Sequence, residues 1–279
     1  MGARIVAVVV LVLCGLMGAA EAACPDAVAK YRGLVVPVGF RAQAALPGNV
    51  RVTFTGHATF DIVSPEGVRV VTDYTDLIPI EGVPDIITMN RFHISHYSNY
   101  PDPRIPHVLR GWDPAGGVAR HNLQLRDMRV RNIQTNFGEF GDIRRNENSI
   151  FVFEVASLCF AHLSHTHHIL GPETVAELGE IDVLFAPIDG MYTMSFEELF
   201  DAIAKIKPKM VIPMHITRWL GRFVEQAEKL YPVKHTRSTE MVVNRDMLPA
   251  KTEVVFMEQG RDIPGWPGFF GFGGRPDGP

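Results

Sequence analysis

The chain has 279 residues, of which 46% are hydrophobic and 21% charged, and a formal net charge of −4 at pH 7. That balance excludes a disordered or fibrous chain and leaves enough length for one large globular domain with a substantial core. Slight acidity without a run of Lys and Arg speaks against a nucleic-acid surface.

In chain order, the first feature is Met1-Gly2-Ala3-Arg4, followed by an apolar stretch from Ile5 to Ala20 and the tripeptide Ala20-Glu21-Ala22. A basic start, an apolar middle and a small-residue end form the pattern of a secretory signal peptide. The stretch is shorter than the ~20 residues a spanning helix needs. Residues 1–22 are therefore expected to be cleaved, leaving no stable membrane span and a mature chain from Ala23 in the periplasm or outside the cell. A lipid anchor on Cys24 would need a Leu-like residue where Glu21 stands. Cys14 leaves with the leader. Cys24 and Cys159 could then pair in an oxidising compartment, although Cys159, within an apolar run, reads more simply as a buried thiol.

Residues 23–49 are an extension, and the folded domain is expected over residues 50–258. Arg51-Val52-Thr53-Phe54-Thr55 alternates polar and apolar residues, and strand-like runs follow at Val68 to Asp73, Asp85 to Met89, Leu123 to Ile133 and Ser149 to His162. Later the pattern alternates. Short apolar strands at Asp182 to Ile188 and Met210 to Ile216 are each followed by a helical stretch, which points to α/β layering. Three helices are expected: one opening at Pro172; one capped by Ser195 with Glu198 completing a capping box and ending by Pro208; and one from about Arg218 to Leu230. The tail, residues 259–279, is rich in Gly, Pro and Phe and has neither periodicity.

Histidines cluster where apolar runs end, in Arg91-Phe92-His93-Ile94-Ser95-His96, in His162-Leu163-Ser164-His165-Thr166-His167-His168 and in Pro213-Met214-His215. A strand end is a rigid place from which to aim a side chain. Several imidazoles converging there are what a zinc site requires, with one position left open for water when the site is catalytic. His107, His121 and His235 lack this setting and read as surface or hydrogen-bonded residues.

Gly56-His57-Ala58-Thr59-Phe60 with Val70-Val71-Thr72-Asp73, Asp85 to His96, Asn148 to Phe151, His162 to Leu170, Asp182 to Tyr192 and Pro208 to His215 follow one another in an order that carries a resemblance. Over about Val50 to Glu258 the chain resembles the metallo-β-lactamase-fold hydrolases, in particular the L-ascorbate-6-phosphate lactonase-like and N-acyl phosphatidylethanolamine phospholipase-like branch. The resemblance implies a four-layer αββα fold, two mixed sheets flanked by helices. Where that family has H-x-H-x-D-H, this chain has Arg91, His93, Ser95 and His96. The family's next histidine falls on Asn136, its metal-bridging aspartate on His165, and its last histidine is kept as His215. His57 matches a family position near the metals, which implies a supporting or structural role.

A guanidinium cannot ligate and repels a cation, so the resemblance implies one metal rather than two. His96, His165 and His215 are the expected ligands, with His93 as a fourth ligand or a neighbour. Zinc is the expected ion, and an all-imidazole set also suits other transition metals. Arg91 would hold an anionic group of a small-molecule substrate, and Tyr192, in the turn the family places by the active site, either contacts substrate or packs. Two functions remain open: an exported metal-dependent hydrolase of an ester, lactone, amide or phosphodiester, and an inactive member of the fold that serves as a binding or scaffold protein.

Overall fold

The computed structural model describes residues 46–91, 93–139 and 142–260. The leader, most of the extension and nearly all of the Gly/Pro/Phe-rich tail lie outside the described residues.

Among the described residues, fourteen strands form two sheets. The first contains β1 (Val50–Gly56), β2 (Thr59–Val63), β3 (Arg69–Val71), β4 (Ile86–Met89), β5 (His107–Arg110) and β13 (Glu240–Val243), ordered β13-β1-β2-β3-β4-β5. The second contains β6 (Asn122–Leu125), β7 (Met128–Glu139), β8 (Asp142–Val155), β9 (Leu158–His162), β10 (Val183–Pro187), β11 (Met210–Met214), β12 (Val233–His235) and β14 (Glu253–Phe256), ordered β12-β14-β11-β10-β9-β8-β7-β6. Both are mixed: β3, β4 and β5 run parallel in one, and β9, β10, β11 and β14 in the other.

Period-two burial explains how the sheets meet. Along β1 the side chains alternate between buried and half-buried, so Val50, Val52 and Phe54 face the core. Phe54 stacks on Phe60 at 4.6 Å between centroids, and Phe60 meets Phe185 of the other sheet at 4.3 Å. These aromatics stitch the two inner faces together. The central strands β9, β10 and β11 are buried at every position, as expected of parallel strands covered on both faces.

Two expected strands are hairpins instead. Leu123 to Ile133 breaks at Arg126-Asp127, where Arg126 has φ 48°. Ser149 to His162 breaks at Ala156-Ser157, both in the left-handed region at φ 52° and 60°. That is the two-residue turn whose twist suits antiparallel strands. Neither turn carries the Asn-Gly or Asp-Gly that marks such turns in a sequence, so the apolar runs conceal them.

The helices are α1 (Pro172–Leu178), α2 (Phe196–Ile206) and α3 (Leu220–Ala227). Ser195 and Glu198 form the expected capping box, and α2 ends with Lys207 left-handed before Pro208. Phe200 stacks on Phe223 at 5.4 Å, and Phe223 contacts Phe256 at 6.2 Å, packing α2 and α3 on the eight-stranded sheet. Across β3 and β4, Val70 and Ile86 join the main core. Val71, Ile87 and Met89 face away, into a smaller apolar cluster with Ile105 and Trp112, so loops rather than described helices cover that outer face. Cys159 is disulfide-bonded rather than a free thiol.

Candidate metal centre

Five connections meet at one edge, because the strands that launch them end there. The β1–β2 turn supplies His57, and the loop after β4 supplies His93 and His96. The loop after β9 supplies His165, that after β10 supplies Asp189, and β11 ends just before His215. Backbone bonds lock these loops together: His215 N–H donates to His57 O at 2.8 Å, Ile188 N–H to Met214 O at 3.0 Å, and Met194 N–H to Thr166 O at 3.2 Å.

His57, His96 and His215 form the tightest group, each offering a ring nitrogen within 4.8 Å of the others. All are buried. The His57 ring lies 4.0 Å from His215 and 5.0 Å from His96, centroid to centroid. His165, also buried, stands edge-on to His96 at 5.1 Å and to His215 at 5.5 Å, with Phe137 against its other side at 5.8 Å.

Two buried carboxylates support the rings from behind. Asp73 Oδ2 lies 2.6 Å from His96 Nδ1 and accepts Ser164 Oγ–H at 2.6 Å, while its Oδ1 accepts from Asn90 Nδ2 at 3.2 Å. His96 Nδ1 thus carries the proton, and Nε2, buried and without a hydrogen bond, presents its lone pair to the cluster. Asp189 Oδ2 lies 2.9 Å from His215 Nδ1 and accepts the Thr193 hydroxyl at 2.6 Å. Its Oδ1 accepts the backbone N–H groups of Met191, Tyr192 and Thr193.

The backbone is bent to serve this arrangement. His57, Asp73, Ser164 and His215 all have positive φ, from 40° to 57°, a conformation that costs L-residues energy and collects at functional sites. Gly190 turns at φ 67°, and a Cβ there would come within 2.6 Å of the Phe196 ring, which explains glycine beside Asp189.

Burial sets the electrostatics. It lowers the pKa of His57, His96 and His165 well below the usual imidazole value, and the mutual repulsion of their charged forms lowers it further. All three are therefore neutral at neutral pH, the form that binds metals. Burial raises the Asp73 carboxyl, against the opposing pull of His162 and the Ser164 and Asn90 hydrogen bonds. Burial pushes Asp189 the same way, but the His215 imidazole and the Thr193 and Met191 donors hold it below the usual carboxylate range. An orphaned imidazole nitrogen, neutral rings and carboxylates aligned behind two of them fit a transition metal with nitrogen ligands.

Among the residues expected from sequence, His96, His165 and His215 lie together. His93 is half-buried at the edge, with Nδ1 3.3 Å from Ser95 Oγ. Arg91 is exposed, and its backbone N–H donates to Glu147 O at 3.2 Å. Asn136 sits beside the β7 bulge, where its Oδ1 accepts from Asn146 N–H. Tyr192 is 47% exposed, its side chain at the surface and its backbone tied to Asp189. His57 stands inside the tightest group rather than behind it, and Asp73 and Asp189 had no assigned role. Both aspartates follow apolar strands as the histidines do, so the strand-end signal that marked the imidazoles marks them too.

A protein-family model described as a beta-lactamase superfamily domain matches residues 51–215. A protein of Carboxydothermus hydrogenoformans named a UPF0173 metal-dependent hydrolase is 26% identical over 227 residues, spanning 70% of this chain and all of its own length. Among solved structures, one from Thermotoga maritima, assigned to the zinc-dependent hydrolases of the metallo-beta-lactamase superfamily, is 27% identical. It covers 75% of this chain and 98% of its own, at a TM-score of 0.54. A Parabacteroides distasonis structure, 16% identical, shares the fold at a TM-score of 0.53, covering 64% of this chain and 88% of its own. With a family match over most of the folded domain, two mixed sheets and a histidine cluster at their common edge, the chain belongs to the beta-lactamase superfamily.

Proposed function

We propose that this chain is an exported, metal-dependent hydrolase with a single-metal centre, acting on an ester, lactone, amide or phosphodiester. The observation that carries the proposal is the approach of the buried His57, His96 and His215 ring nitrogens to within 4.8 Å of one another. These three would hold the ion, with His165 beside them, and zinc suits the donor set best. Bound there, it would supply Lewis-acid activation of water and of the bond to be cleaved near neutral pH. The curated relative's name as a metal-dependent hydrolase supports the same reading.

The chain's own groups have distinct tasks. Asp73 and Asp189 fix ring orientation and tautomer in His96 and His215. Arg91, exposed on the loop that also carries His93 and His96, anchors an anionic substrate group through its five donors. A single ion is favoured because Arg91 and Ser95 stand where the resemblance implies ligands and because both buried carboxylates already serve imidazoles. The sequence likeness to the ascorbate-phosphate lactonase and phospholipase branch is compatible with any of the four bond types.

Export is supported by the leader pattern of residues 1–22 and by the disulfide at Cys159, a bond that persists in oxidising compartments. N-terminal sequencing of chain recovered from the producing cell should begin at Ala23. An intact Met1 on all recovered protein would refute export.

The catalytic reading is tested with zinc-loaded chain against a panel of carboxylic esters, lactones, amides and phosphodiesters. We expect turnover of at least one class, reduced about 10–100-fold in Asp189→Asn, the usual cost of losing a carboxylate that orients a metal-binding imidazole. Zinc bound stoichiometrically without turnover of any class would favour the binding-protein alternative.

A further inference from the structure

Ten large hydrophobic side chains are exposed among the described residues, and four of them, Ile94, Ile169, Met191 and Tyr192, sit on three of the loops that carry metal-centre residues, those after β4, β9 and β10. Each lies within four positions of a centre residue: Ile94 by His96, Ile169 by His165, and Met191 and Tyr192 by Asp189. They are 47–56% exposed. Single exposed hydrophobics are common on any surface and need no account, whereas a group collected around one functional edge marks a binding surface.

Two further observations make these residues a surface rather than loose loop tips. The Met191 and Tyr192 backbones are held by Asp189 Oδ1, the partner of His215, so their positions are fixed by the same carboxylate that supports the centre. The loops after β9 and β10 are joined by Met194 N–H to Thr166 O, and the Thr75 hydroxyl binds the carbonyl of Ile94. A rim held by hydrogen bonds to the site's own framework is pre-organised for its ligand.

We infer that the substrate carries an aliphatic chain of several carbons next to the bond that is cleaved, and that Ile94, Ile169, Met191 and Tyr192 receive it. This rests on the reading of the histidine cluster as the reaction centre. A small, fully polar substrate would leave the rim without a task. Arg91 belongs to the same loop as Ile94, so a chain with an anionic group meets apolar and cationic contacts side by side.

The test is a calorimetric titration of zinc-supplemented full chain with octanoate and with acetate, which share a carboxylate and differ in chain length. Octanoate should bind at least tenfold more tightly. In a variant carrying Ile94→Ser, Ile169→Ser, Met191→Ser and Tyr192→Ser, all at exposed positions, that preference should fall to within about twofold. Zinc content should stay unchanged, which separates the rim from the fold. Equal affinity for the two probes in the wild type, or a preference that survives in the variant, overturns the inference. Chain-length preference without any bound zinc would leave the rim standing and remove the hydrolase reading, whereas zinc without chain-length preference would do the reverse.

Discussion

Purified without chelator, the chain should carry about one zinc per molecule, and His96→Ala, His215→Ala and His57→Ala should each lose it, with affinity falling at least a hundredfold. Each substitution would remove one imidazole from the proposed three-ligand set, and two ligands do not hold a structural or catalytic zinc. The variant that discriminates is His57→Ala beside His165→Ala. The sequence resemblance implies His96, His165 and His215 as ligands, whereas the tightest group of ring nitrogens is His57, His96 and His215. Greater loss in His57→Ala makes His165 a neighbour of the ion, while greater loss in His165→Ala restores the set implied by the resemblance. Asp73→Asn should retain zinc with affinity about 10–100-fold weaker, because it removes only the carboxylate that orients His96. Inductively coupled plasma mass spectrometry and a competitive chelator titration measure all of these. Two zinc ions per chain would defeat the single-metal proposal.

The fold was largely legible because its signals are local. Alternation along β1, unbroken apolar runs in β10 and β11 and the Ser195 capping box are written in short windows of sequence, and each appears where those windows place it. The β6–β7 and β8–β9 hairpins were not legible. Their turns use Arg126-Asp127 and Ala156-Ser157, in which Arg126, Ala156 and Ser157 adopt the left-handed region because the paired strands on either side hold them there. The centre divides in the same way. Histidines after strand ends could be picked out one by one, but which three converge depends on the register of β1, β4, β9 and β11 across two sheets, which no local window contains. His57 shows the difference most clearly: a tight turn at φ 52° between β1 and β2 carries it into the cluster, and nothing in Gly56-His57-Ala58 alone distinguishes that from a structural turn. The Asp73 and Asp189 supports are partnerships across 23 and 26 positions of chain, to His96 and His215 respectively, and become visible only once the loops are assembled.

Stripped of metal, the folded chain should be strongly acid-labile, losing several kcal/mol of stability between pH 7.5 and pH 5.5. His57, His96, His162 and His165 are buried with pKa values lowered chiefly by that burial. In the unfolded chain the same imidazoles take up protons below about pH 6.5. The unfolded state therefore binds more protons than the native state at mildly acid pH, and stability falls as pH drops below about 6.5. Each histidine contributes up to about 1.4 kcal/mol per pH unit, until the native ring itself protonates. Asp73 works in the opposite sense, since its raised pKa lets the native carboxyl take up a proton earlier than the unfolded one, but it is one group against four. Asp189, held below the usual carboxylate range, adds its loss only below about pH 4, outside this window. Four imidazoles acting together rival the roughly 5–15 kcal/mol that holds a typical domain folded, which is why this effect should exceed that of most single substitutions. Urea denaturation in excess chelator at pH 7.5, 6.5 and 5.5 measures it as a falling midpoint. His162→Gln, three positions before His165 and bonded through Nε2 to Ala58 O at 2.8 Å, should flatten the dependence by about one proton's share, because glutamine does not titrate. A midpoint independent of pH would mean that the imidazoles are not neutral in the native cluster, and would also remove the basis for their reading as metal ligands.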